Sequence, residues 1–341
     1  MKLSTWLAIV ISAAVTACAP ARPAVAPVDV GPVVESLAPE SAPMGLRRSV
    51  VADQYFWLRA KALEGEAPAP FGPALVAMRE LRDDLSADPT AWEDLEVPLG
   101  TVERATDLAT AYASLPIMRD VGGKMVPLRE RAQKLARAMA ATESAYQRGP
   151  YHDHASEIAN AAKELNVKLF PRLEEILRTI DVDMNLPGTP PIVITLVGDA
   201  PYPGIFAADD RGHTTASFVR VRGLEGGALV ETVLHEMLHA IDELTVRSPT
   251  AMNMLRDALQ RRGIDKSDPN VEMAVNTVTF AEAASLVRRF VSPTHKPLGE
   301  SGFYTIYPPA GAIVAAWDRH VEGEALETTA DAVAKAVVAP P

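Results

Sequence analysis

The chain has 341 residues, a formal net charge of −11 at pH 7 and a sequence pI near 5.2. This length is enough for two domains, and the acidic balance argues against nucleic acid or anionic lipid as partners. The single cysteine excludes a disulfide within the chain.

Residues 1–17 are predicted to be a secretory signal peptide, because Lys2 precedes an apolar run too short to span a bilayer. The sequence ending at Cys18 resembles the lipobox of bacterial lipoproteins. This resemblance implies cleavage before Cys18 and an anchor to the membrane through an N-terminal lipid. Ala19 is not the aspartate associated with inner-membrane retention, which favours the outer membrane facing the periplasm. The alternative is ordinary cleavage after an Ala-x-Ala-like site, with Cys18 as a bystander.

Residues 18–44 are rich in proline and alanine and have no apolar period. They are predicted to be a disordered tether that holds a domain away from a surface. Residues 45–185 are predicted to form a helical domain, an antiparallel bundle. Helical periodicity is expected over the runs 46–65, 72–86, 101–114, 128–146 and 158–180, with a kink suggested near Pro171.

Residues 186–341 are predicted to form a second domain. Three runs there favour strands, since they are rich in β-branched residues or alternate in polarity: 191–197, 204–207 and 214–221. Helices are expected over 227–243, 250–262, 270–291 and 312–336, with a loop over 292–311. The predicted fold class is therefore α+β and mostly helical, with a helical bundle before a domain that packs a small sheet on one central helix.

The helix predicted over 227–243 contains the sequence HEMLH. Residues four apart on an α-helix differ by about 40° around its axis, so His235 and His239 project side by side. Two imidazole nitrogens at that spacing can bind one zinc ion, and Glu236 is placed to act as a general base on a metal-bound water. The alternative is a chance pairing of two histidines in one helix.

A catalytic zinc ion needs a third protein ligand and an open position for water. Asp242 and Glu243 are nearest in sequence, but Asp242 on an unbroken helix points beyond the ion. Glu282 continues an apolar stripe of the helix predicted over 270–291, and a buried carboxylate needs a partner. Glu282 is therefore the predicted third ligand. Its alternative is a surface glutamate at the flank of that helix.

Glu272 is the other glutamate of that helix. It shares a side with Asn276 and Thr279, and this polar side is expected to face solvent.

The HExxH motif followed by a glutamate on a later helix resembles the zincin metallopeptidases, and among them the gluzincins. Phe280–Ser285 is similar to the glutamate helix of thermolysin-like enzymes, with Leu286 where that family has an aspartate. His239–Asp242 also resembles the lethal-factor-like zincins. The likeness covers about residues 190–291. It implies a protein or peptide substrate and one zinc ion held by His235, His239 and Glu282.

The zincin resemblance also implies an edge strand that holds the substrate backbone, and a side chain that stabilises the oxyanion. Residues 214–221 are the candidate edge strand, or else a core strand of the small sheet. Tyr304, Tyr307 and His320 are candidates for the oxyanion role, or else structural, with His320 capping its own helix.

Three further histidines lie outside the motif. His295 reads as an exposed loop residue. His152 and His154 are either a second metal site or the start of a helix with Asp153 near its N-cap.

The sequence thus predicts a membrane-tethered, zinc-dependent metallopeptidase that hydrolyses peptide bonds with a metal-activated water. The alternative from a different class is a helical binding or assembly lipoprotein whose zincin domain is catalytically inactive. A third interpretation, hydrolysis of a cell-wall amide bond, would use the same residues.

Overall fold

The computed structural model describes residues 34–39, 42–66, 68–209, 214–245 and 249–338. The predicted signal peptide, Cys18 and most of the predicted tether lie outside these residues. The end of the tether prediction is corrected, because two strands form before residue 50 and the Leu37 N–H donates to the Leu46 carbonyl over 2.6 Å. The chain therefore enters its sheet earlier than the composition suggests.

Seven β-strands lie in the described part of the chain. In chain order they are β1 (Val34–Ser36), β2 (Met44–Ser49), β3 (Arg119–Val121), β4 (Lys124–Val126), β5 (Ile192–Val197), β6 (Gly204–Ala208) and β7 (Thr215–Arg220). Five of them form a mixed sheet in the order β1-β2-β5-β7-β6, and β3 pairs with β4. β2, β5 and β7 run parallel, with Leu46 opposite Ile194 and Leu196 opposite Val219, while β1 and β6 form antiparallel edges.

The helices account for most of the described residues. They are α1 (Val50–Glu64), α2 (Gly72–Leu85), α3 (Glu93–Glu96), α4 (Ala105–Ala111), α5 (Leu128–Arg148), α6 (Pro150–Lys168), α7 (Leu173–Asp183), α8 (Gly226–Leu244), α9 (Ala251–Arg261), α10 (Pro269–Phe290), α11 (Phe303–Ile306), α12 (Ala310–Val321) and α13 (Leu326–Val338). The prediction of an α+β, mostly helical fold is confirmed. Within the described ranges, no helix combines the length and apolarity needed to cross a membrane.

Helix boundaries follow local chemistry. The helix predicted over 158–180 is interrupted by a 3₁₀ turn at Phe170–Arg172, which contains Pro171. The helix predicted over 312–336 is instead two helices, α12 and α13. Gly323, with φ of 114°, lies between them, and its N–H donates to the His320 carbonyl over 2.8 Å. This left-handed residue ends α12 in the manner expected of glycine.

The predicted helical domain also contains strands that its periodicity does not indicate. β2 joins the main sheet, and β3 and β4 form a hairpin. Gly122 and Gly123 turn this hairpin with φ of 61° and 87°, as a tight two-residue hairpin turn requires. The predicted loop 292–311 in turn contains a 3₁₀ turn at Leu298–Ser301 and α11.

One hydrophobic core extends across the predicted domain boundary at residue 185. Phe56 of α1 contacts Phe218 of β7 with ring centroids 4.7 Å apart. The Ala251 N–H donates to the Met184 carbonyl over 2.9 Å. The N-terminal helices and the C-terminal sheet are therefore packed as neighbours.

A buried polar network joins the same two parts. His154 Nδ1 lies 2.7 Å from Asp53 Oδ2, and the Tyr146 hydroxyl donates to the same oxygen over 2.6 Å. The Gly198 N–H donates to Asp53 Oδ1. His154 of α6 is thus buried and hydrogen-bonded to Asp53. Asp153 lies in the first turn of this helix, and Gly149 is its N-cap. The helix-start interpretation of this segment is correct.

Candidate functional site

Helix α8 lies between the sheet and α10, and it is buried on nearly every side. Its first N–H, that of Gly226, donates to Glu164 Oε1 of α6 over 2.7 Å, which satisfies a backbone group that a helix start leaves unpaired. The helix predicted over 227–243 is confirmed as α8. A side chain of the neighbouring α6 holds its start.

The two motif histidines converge as predicted. His235 Nε2 and His239 Nε2 are 3.1 Å apart, and the ring planes are nearly perpendicular. Two nitrogens bound to one tetrahedral zinc ion at about 2.0–2.1 Å would be about 3.3 Å apart. Burial lowers the pKa of both histidines, and the neighbouring His239 lowers that of His235 further. Both rings are therefore neutral near pH 7 and offer lone pairs to an ion.

Asn276 of α10 is the third polar group at this point. Its Oδ1 is 3.1 Å from His239 Nε2. The prediction that this side of α10 faces solvent is wrong for the buried Thr279 and holds for the exposed Glu272, while Asn276 is half-buried. α10 is enclosed on two sides, by α8 on one and by α12 on the other, so a polar stripe does not mark its solvent face.

Glu282 is buried as predicted, but the structure does not bring it to the histidines. It is 0% exposed, and its Oε2 accepts a hydrogen bond of 2.9 Å from Trp317 Nε1 of α12. Burial, with the nearby Asp183 carboxylate, raises the pKa of Glu282 to about 8. Glu282 follows Asn276 by six residues, so the two side chains point about 120° apart around the axis of α10. The described residues contain no group of three or more His, Cys, Asp or Glu side chains able to hold a metal ion, and the ligand set of His235, His239 and Glu282 stays a prediction.

Glu236 lies beside the histidine pair. Its Oε1 is 4.0 Å from His235 Nε2, and its Oε2 is buried without a hydrogen-bond partner in the described structure. The carboxyl group lies against Gly204 at the start of β6, where a Cβ would overlap it. Burial raises the pKa of Glu236 to about 8. Glu236 Oε2 can thus form a hydrogen bond with a polar group placed between it and the histidines.

The edge strand next to the site is β6, and the assignment of residues 214–221 as that edge is wrong. β7 lies between β5 and β6, so it is the interior strand of the stated alternative. Asp209 N donates to the Thr214 carbonyl, which makes the odd-numbered residues of this strand the ones bonded to β7. The backbone groups of Gly204, Phe206 and Ala208 therefore point away from β7. Glu93 of α3 accepts a hydrogen bond from Ala208 at this edge.

Aromatic rings cover both histidines. The Phe206 ring stacks on His239 with centroids 5.7 Å apart, and the Phe280 ring lies 4.0 Å from that of His235. Tyr304 packs edge-on against Phe280 at 6.4 Å. The two imidazole rings are therefore bounded by apolar surface.

The three oxyanion candidates differ in their surroundings. The Tyr304 hydroxyl is buried and has no partner among the described residues. The Tyr307 hydroxyl donates to the Asn270 carbonyl, and the two ring nitrogens of His320 lie within 2.9 Å of the Glu324 and Asp183 carbonyl oxygens. The hydroxyl of Tyr307 and the ring of His320 are thus engaged in hydrogen bonds, and Tyr304 is the candidate whose hydroxyl has no partner among the described residues.

Two paired acidic side chains, Asp242 and Glu231, flank the motif on α8. Asp242 is bound through both oxygens by Arg256 of α9, so its carboxylate is engaged away from the two histidines. Glu231 is bound by His295, whose side chain is 9% exposed. His295 therefore lies in a loop as predicted, but the prediction that it is exposed is wrong.

The residues present fit a divalent ion in part. Two neutral imidazoles and the Asn276 oxygen converge, and the unpaired oxygen of Glu236 lies nearby. The carboxylate expected as third ligand is engaged elsewhere, and His235 Nδ1 has no partner within the described structure. Ligating histidines normally donate that second nitrogen to another group.

Comparisons of the chain with protein-family models, with curated proteins and with solved structures gave no match. The likeness to the zincins therefore rests on the residues quoted above and on the geometry of α8.

Proposed function

We propose that this chain is a zinc-dependent hydrolase of peptide bonds. The observation that supports it most directly is the 3.1 Å separation of two neutral imidazole nitrogens beside the unpaired oxygen of Glu236. Buried polar atoms normally have a hydrogen-bond partner, and Glu236 Oε2 has none among the described residues. An ion and its water would satisfy these atoms.

His235 and His239 would hold the ion, and Asn276 Oδ1 would be the third protein ligand in place of the predicted Glu282. A zinc ion bound there would lower the pKa of its water and polarise the scissile carbonyl. An asparagine in place of a glutamate leaves the protein ligands without negative charge, so binding should be weaker than in a site with a carboxylate.

Glu236 would act as the general base. A cation beside a carboxyl group favours its ionised form, which offsets the effect of burial on the pKa of Glu236. Its oxygen would take a proton from the attacking water as the water oxygen bonds to the carbonyl carbon. The same proton would pass to the amine nitrogen as the C–N bond breaks.

The outer edge of β6 would hold the substrate backbone. Gly204 and Phe206 direct backbone groups away from β7, and both residues contact the site, Gly204 through Glu236 and Phe206 through His239. An extended peptide added to this edge would lie across the two histidines. A peptide is therefore a better substrate for this geometry than a compact small molecule.

The proposal is tested by incubating the purified full chain with a mixture of peptides of varied sequence and identifying the products by mass spectrometry. Cleavage should require zinc, stop with a chelator and return when zinc is added back. A varied mixture is needed because a narrow specificity would leave a generic protein substrate intact. An absence of cleavage by chain that demonstrably contains zinc would contradict the proposal.

A second candidate is a binding or assembly protein with an inactive zincin-like domain. The bond between Glu282 and Trp317 favours it, because the carboxylate that would strengthen metal binding is held away from the histidines. On this account the chain binds a metal weakly or not at all, and peptides of the mixture bind without being cleaved.

A further inference from the structure

Glu231 lies one turn before His235 on α8. Residues four apart share a helix face, so Glu231, His235 and His239 form one line of side chains along this face. Glu231 is 0% exposed. A fully buried carboxylate is costly unless it is paired, which raises the question of what its partners achieve.

Both partners of Glu231 come from one segment after α10. His295 Nε2 contacts Glu231 Oε2, and the Leu298 N–H donates to Glu231 Oε1 over 3.0 Å. The His295 ring lies against Gly227 at the start of α8, where a Cβ would overlap it. The carboxylate therefore holds this segment on the first turns of α8 by a side-chain bond and a backbone bond.

The segment held in this way carries two rings, Phe303 and Tyr304, that pack against the ring covering His235. Its continuation, α11, places Phe303 at 5.2 Å from Phe280, and Phe280 lies on His235. Tyr304 packs on Gly299, directly after Leu298, and its hydroxyl is buried and unpaired. A continuous set of contacts thus runs from Glu231 through the segment to the ring of His235.

We propose that Glu231 is a positioning residue that sets the orientation of His235, and with it the strength of metal binding. The proposal rests on the proposed function, in that His235 is taken to bind the ion. Because His235 Nδ1 has no hydrogen-bond partner in the described structure, packing by Phe280 takes the place of the bond that usually orients a ligating histidine. Releasing the segment should free that ring.

The test is titration of the metal-free full chain with Co(II), followed by visible absorption. Glu231→Ala should bind Co(II) about tenfold more weakly than the wild type and with altered absorption bands, since loss of an orienting group typically costs 10- to 100-fold in affinity. Glu231→Gln keeps an acceptor for the Leu298 N–H and should stay within about threefold. Amide hydrogen exchange over residues 295–306 should be faster in the alanine variant alone.

The matched control is Asp53→Ala, which breaks an equally buried carboxylate–histidine pair away from the site. It should lower stability and leave Co(II) binding unchanged. If Glu231→Ala does not fold, His295→Ala cuts the same contact from the other side. A wild type that binds no Co(II) would refute the proposed function, and with it this inference. Unchanged Co(II) binding by Glu231→Ala, or equal weakening by Asp53→Ala, would overturn the inference alone.

Discussion

Glu236→Gln should lower the rate of peptide hydrolysis about 1000-fold while the chain still binds zinc, because a positioned general base typically contributes 10²- to 10⁴-fold. Glutamine has nearly the shape of glutamate but cannot take a proton from water. The carboxyl group lies beside the histidines without being one of the converging atoms, so its loss should leave the ligands in place. The measurements are kcat on a peptide that the wild type cleaves, and zinc content.

The matched control for this change is Glu243→Gln, two turns further along the same helix. Glu243 is partly buried and forms no hydrogen bond with the histidines in the described structure, so activity should stay within about twofold of wild type. Hydrolysis by Glu236→Gln within tenfold of wild type would show that another group removes the proton.

Glu282→Gln should stabilise the metal-free chain above about pH 8 by several kcal/mol, on the order of 4. The ordinary pKa of this group is 4.5, and burial raises it to about 8 in the folded chain. Between these values the folded state binds more protons than the unfolded state, so stability falls as pH rises through the window. Glutamine does not titrate and can still accept the bond from Trp317. Urea unfolding at about pH 5 and about pH 8.5 measures the difference.

At about pH 5 the two proteins should have free energies of unfolding within about 1 kcal/mol, since the folded glutamate is then protonated. Glu272→Gln, on an exposed position of the same helix, is the control and should change stability little at either pH. If Glu282→Gln raises the free energy of unfolding no more at about pH 8.5 than at about pH 5, the placement of Glu282 is contradicted. A loss of zinc by Glu282→Gln would contradict it as well. Zinc loss would restore it as a metal ligand.

The sequence was sufficient for features set by local periodicity. The span of α8, the convergence of His235 and His239, and the burial of Glu282 all follow from 3.6 residues per turn and an apolar stripe. Periodicity tells which side of a helix is buried but not which neighbour covers it. α10 is covered twice, so Glu282 faces Trp317 of α12 while Asn276 faces His239.

Sheet order could not be predicted from strand order along the chain. The strand with the strongest alternation, β7, lies inside the sheet, and the shorter β6 forms the edge beside Glu236. β1 and β2 were missed because three to six residues after a proline-rich stretch show too little pattern. Their pairing with β5 is a long-range contact that local propensity does not carry.

The Glu231–His295 pair was missed although a signal for it exists. Glu231 lies four residues before His235, on the same stripe as both histidines, so it is a charged residue on a face predicted to be buried. A buried charge requires a partner. The partner comes from a segment whose composition is that of a loop, and its folding back onto α8 depends on tertiary packing.

The zinc content of the purified full chain tests most directly whether His235 and His239 form a metal site. Wild type supplied with zinc should contain about one zinc per chain, and His239→Ala less than about 0.2. His152→Ala, which alters a histidine away from α8, should match the wild type. The account would be contradicted if the wild type contains less than about 0.2 zinc per chain and if added zinc neither binds to it nor stabilises it against unfolding.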